Sequence, residues 1–139
     1  MSLLMMLLLP AMQLAGVLVM VVIELRMRRF LQEVPILQGA AEMAVFRDLA
    51  ALNMYAALLN IGLLGGSWLL FFLLLYLKVL NMDFFLFMLL PAMLVMITGM
   101  IAKGTEGRVH ALPTASEALT QERDHVIHVW LTQALPDWK

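Results

Sequence analysis

The chain has 139 residues, 63% apolar and only 14% charged, with a formal net charge of −1 and no cysteine. Soluble domains lie nearer half apolar and a quarter charged, so this composition suits lipid better than water. The near-neutral charge gives no bias towards nucleic acid, and the missing thiol excludes disulfides, thiolate metal sites, cysteine nucleophiles and palmitoylation.

Three apolar runs, residues 3–23, 49–77 and 84–102, carry no charged side chain. A helix rises about 1.5 Å per residue and the hydrocarbon core is about 30 Å thick, so each run is long enough to cross once. The first lacks a positively charged leader and exceeds the apolar core of a signal peptide, which predicts an uncleaved transmembrane helix. It contains Pro10 and Gln13, with Ala11 and Ala15 at small-xxx-small spacing.

Residues 24–48 read as a helical hairpin on the inner side of the membrane. Glu24 and Arg28 stand at i,i+4, which supports helix to about Glu33. Pro35 then breaks it, because proline lacks a donor and disfavours helix in the residue before it. From about Gly39 the composition favours helix again and runs into the second span. Arg26, Arg28 and Arg29 have two readings. The favoured one is a positive-inside anchor reaching lipid phosphates; the sharper one is a specific anionic-lipid or partner contact.

The second span is too short for two crossings and predicts one long tilted helix. Asn53, Asn60 and Ser67 recur every seven residues and mark one polar face. Uncharged amides in lipid want partners, so this face predicts helix packing or a pore lining. Gly62 and Gly66 form a GxxxG pair on another face, which permits close helix approach.

Lys78, Asn81 and Asp83 belong to a tight second turn, which predicts spans two and three as antiparallel neighbours. Trp68 reads as a packing residue and Tyr76 as an interfacial one. In the third span, Pro91 reads as a satisfied kink. Met93, Met96 and Met100 share a face and read as apolar filling, not as a copper site.

Arginine and lysine gather in the first connection and just after the third span, at Arg26, Arg28, Arg29, Arg47, Lys103 and Arg108. This predicts the N-terminus outside and the C-terminus cytoplasmic, in a bacterial inner membrane. The domain division is a transmembrane unit, 1–103, followed by a linker and an amphipathic helix, 104–139. Gly104, Gly107 and Pro113 suggest the linker. Thr114 and Glu117 have capping-box spacing, which predicts a helix from about Ala115 to Ala134. Its polar face is poor in Lys and Arg, so docking against the inner hairpin, of this or another subunit, is favoured over the membrane surface. Trp130 and Trp138 are its docking residues. His125 and His128, spaced i,i+3, read as a solvated pair, since a metal needs a third ligand.

The predicted fold is therefore all-α: three transmembrane helices, a cytoplasmic helical hairpin and a C-terminal amphipathic helix. No span holds a carboxylate or histidine, which argues against proton relays and ion coupling. No catalytic triad, phosphate loop or metal motif appears, so no catalytic residue, cofactor or metal is assigned. The leading expectation is a non-catalytic structural or assembly subunit, homo-oligomeric or bound to other membrane subunits. A channel lined by Asn53, Asn60 and Ser67 is the alternative. An enzyme assembled at an interface from Arg47, Asp48, Asn53 and Tyr55 is the weakest reading.

Overall fold

Each apolar run folds inside one long helix, because in lipid every backbone N–H and C=O must find its partner within the segment. Helix α1 is Leu3–Glu33, α2 is Ala40–Tyr76, α3 is Phe85–His110 and α4 is Glu117–Thr132; one 3-10 turn, Met82–Phe84, leads into α3. The structure is a computed structural model describing residues 3–138. Among those residues there is no strand, and three helices are long and apolar enough to cross a membrane. The chain is an all-helical integral membrane protein by this measure.

Helix α1 lies between α2 and α3 and packs along both. This changes the neighbour relation expected from the short second turn. Helices α2 and α3 meet mainly through rings near that turn, where Trp68 and Phe71 contact Phe85 at centroid distances of 5.6 and 6.4 Å. The backbone contact that a short hairpin promised is taken by α1.

The turn closes α2 with a complete C-terminal motif. Lys78 adopts φ 59°. Its N–H donates to the Leu75 carbonyl at 3.1 Å, and the Val79 N–H donates to the Leu74 carbonyl at 2.9 Å. This is the Schellman pattern, with lysine where glycine is usual. Pro10 and Pro91 both sit inside helices without ending them.

At the opposite end, α1 and α2 are joined by residues 34–39, where Pro35 interrupts the helix. This connection is clipped to the one between α3 and α4. The Leu37 N–H donates to the Pro113 carbonyl and the Ala115 N–H donates to the Leu37 carbonyl, both at 2.9 Å. Helix α4 then packs against α2. Phe30, Phe46, Val109, Val126, Val129 and Trp130 share one buried cluster there. A second buried cluster, around Leu9, Phe71, Phe84 and Met88, fills the other end.

Two boundaries differ from expectation. The segment from 104 is not a linker: α3 continues through Gly104 and Gly107 to His110, leaving 111–116 as the connection. Burial of Ala102, Thr105 and Val109 outweighs the roughly 1 kcal/mol each glycine costs a helix. The α4 cap is also displaced. Ser116, not Thr114, is the N-cap, its hydroxyl accepting from the Leu119 N–H at 3.3 Å. Thr114 instead shares a hydroxyl hydrogen bond with Thr120.

Candidate functional site

The polar chemistry inside the bundle is arranged along α1, level by level. Gln13 is fully buried. With its amide oriented to pair both ends, Nε2 donates to the Met88 carbonyl at 2.8 Å and Oε1 accepts from Trp68 Nε1 at 3.2 Å. One side chain of α1 thereby ties α2 to α3. Next comes Gly16, where a Cβ would lie 2.4 Å from Asn60 Oδ1 and 3.9 Å from Val95. Three helices converge on that glycine.

Further along, the Asn53 amide of α2 donates to Met27 Sδ of α1 at 3.2 Å. Thioether sulfur is a weak acceptor, so this bond adds less than an amide–carbonyl pair. Glu24 is buried beside it on α1. Its Oε1 accepts from Thr105 Oγ1 of α3 at 2.7 Å and pairs with Arg28 Nε at 2.5 Å. Its Oε2 is buried with no hydrogen-bond partner, as is Asn60 Oδ1.

The polar face of α2 thus turns towards α1 of the same chain. Asn53 is buried, Asn60 abuts Gly16, and Ser67 is buried with its hydroxyl donating to the Leu64 carbonyl of its own helix at 2.7 Å. The glycines of α2 behave differently. Gly66 faces Met12 of α1 at 3.6 Å from a built Cβ, whereas Gly62 and Gly65 have nothing within 4 Å. Gly62 and Gly66 are therefore not one packing face within the chain.

The three arginines also separate. Arg28 is held by Glu24 and Arg29 by Glu33 at 2.8 Å. Arg26 lines the α1–α2 groove beside Leu52. Arg47 pairs with Glu122 of α4, and Asp48 and Tyr55 are exposed. Asn53 turns inwards to Met27, so within one chain it points away from exposed Asp48 and Tyr55.

Trp130 is buried edge-on against Phe46 at 6.3 Å and against His110 at 4.4 Å. Trp138 packs against the same cluster. Both tryptophans contact their own chain. Leu131 and Ala134 are exposed, and Val129 takes the buried position beside Val126. Met93, Met96 and Met100 are exposed on α3. Among the described residues no three His, Asp or Glu side chains stand where they would hold one metal ion.

Sequence reasoning passed over Gly16 and Thr105. The available signal was an unusual glycine within an apolar run, and a hydroxyl one turn beyond the third run. No protein-family model matches the chain, and neither a curated protein nor a solved structure does.

Proposed function

We propose that the chain is a non-catalytic structural or assembly subunit of a membrane protein complex, self-associating or bound to other membrane subunits. The observation that carries this reading is the division of α2 into two faces. Asn53 bonds Met27 of α1, Asn60 abuts Gly16 of α1 and Ser67 is buried, so this face is covered within the chain. Gly62 and Gly65 lie over open space, with exposed Leu58, Ile61 and Leu69 around them. A glycine face on a membrane helix lets a second backbone approach closely, and such packing drives helix association in lipid.

In this reading the basic end of the bundle is cytoplasmic. Arg26, Arg28, Arg29, Arg47, Lys103 and Arg108 gather there, while the opposite turn carries only Lys78. The α1–α2 hairpin is then a cytoplasmic projection, and α4 is an amphipathic strap across it. The N-terminus faces outwards across a bacterial inner membrane. A channel lined by the α2 polar face has less support, since that face would first have to leave α1.

The native mass of the protein extracted in mild detergent tests the proposal. It should exceed that of one chain, through further copies or through copurifying membrane subunits. A bare monomer at every detergent concentration would overturn it.

A further inference from the structure

The groove between α1 and α2 has an apolar part and a charged part. The apolar part, about 390 Å³, is walled by Leu18, Val22, Leu52, Ala56 and Leu59. The charged part, about 430 Å³, continues it towards the end where the chain turns, and Arg26 and Leu52 border both. Arg26 therefore stands where apolar wall gives way to polar wall. Asp48 lies on the far side of that junction, one turn of α2 beyond Leu52.

The charges along the groove are not equivalent. Arg29 and Glu33 hold each other, so they cancel locally. Arg28 is engaged with Glu24, beside a different hollow that includes Thr98 and Ile101 of α3. Arg26 and Asp48 make no ion pair and no side-chain hydrogen bond among the described residues. The order along the axis is thus apolar trough, unpaired cation, unpaired anion. Leu52, which borders both parts together with Arg26, stands one turn of α2, roughly 5.4 Å of rise, from Asp48, a step that the two-carbon link between a phosphate and an ammonium can span.

We propose that this groove binds one zwitterionic aminophospholipid of the phosphatidylethanolamine type. An acyl chain lies along Leu18 to Leu59, the phosphate accepts from the Arg26 guanidinium, and the ammonium donates to the Asp48 carboxylate. Arginine suits this place because its planar fork presents two donors to a phosphate and it stays charged at every relevant pH. A purely anionic headgroup would meet Asp48 as a like charge. A choline headgroup has no N–H to donate to it. The proposal goes beyond the assembly reading and holds whether or not the chain self-associates.

The test is native mass spectrometry of the full chain in nanodiscs holding equal palmitoyl-oleoyl phosphatidylethanolamine, phosphatidylglycerol and phosphatidylcholine. The wild-type chain should retain one phosphatidylethanolamine about tenfold over either competitor, as one charged hydrogen bond implies. Arg26→Gln should lower that retention by a similar factor, and Asp48→Asn should remove the preference over phosphatidylglycerol. Arg26→Lys, which keeps the charge and loses the fork, should fall between. Equal or better retention of phosphatidylglycerol by the wild-type chain would overturn the proposal, as would unchanged retention in Arg26→Gln. The wild-type comparison needs no substitution, so a variant that misfolds leaves the test intact.

Discussion

Gly16 of α1 stands so close to Asn60 of α2 that a Cβ on the glycine would lie 2.4 Å from the amide oxygen. The pair fixes how near the two helices come, and Val95 of α3 closes the same point from the third side. Gly16→Ala should therefore destabilise the bundle by about 1 kcal/mol or more, the range for overpacking. The cost should largely vanish in an Asn60→Ala background, because the alanine then meets no oxygen. Reversible unfolding in mixed detergent micelles measures the coupling; additive effects would show that the two residues do not touch.

Thr105 is the α3 partner of the buried Glu24 carboxylate. Thr105→Val should cost about 1–3 kcal/mol, since a buried acceptor would lose a donor while one of its oxygens already lacks one. Thr105→Ser should restore most of the loss. The same unfolding assay distinguishes this from a packing effect, because valine preserves the shape and serine preserves the hydroxyl.

Lys78 occupies a left-handed position with φ 59° at the end of α2. That conformation costs an ordinary residue about 1–2 kcal/mol, while glycine loses about 0.5–1 kcal/mol more chain entropy on folding. Lys78→Gly should thus stabilise the protein by about 0.5 kcal/mol. A destabilised variant would mean that the lysine side chain does more than tolerate the turn.

Two of the contacts that hold α4 should differ sharply. Trp130 is buried, so Trp130→Ala should cost about 3 kcal/mol or more at the α4 dock. The Arg47–Glu122 pair is 36% and 37% exposed, and solvent screening limits it to under about 1 kcal/mol. Limited proteolysis within residues 111–116 should accelerate strongly for Trp130→Ala and slightly for Glu122→Gln. Equal acceleration would contradict this ranking.

The helices were legible because charge-free runs in a polar-poor chain have one stable state in lipid. The break at Pro35 was legible for an equally local reason, a missing donor. Which helix is central was not. All three runs are apolar around most of their circumference, so no face announces its partner. Asn53, Asn60 and Ser67 advertised a contact without saying which chain would supply it; the answer lies in Gly16 and Met27, remote in sequence. The end of α3 was misread because Gly104 and Gly107 signal flexibility locally, while the Thr105–Glu24 bond that overrides them spans 81 residues. The Ser116 cap was two residues from the predicted Thr114 because both carry hydroxyls, and tertiary contacts selected between them.

In the proposed assembly the glycine face of α2 meets another protein helix, while the polar face is covered inside the chain. The chain has no cysteine, so a single introduced thiol places a photoreactive crosslinker at one position of the chain. Gly62→Cys, so labelled in native membranes, should give a protein adduct of higher mass. Met96→Cys, on an exposed face of α3, should capture lipid alone. A Gly62→Cys chain that captures only lipid, as the Met96 control does, would contradict that assembly.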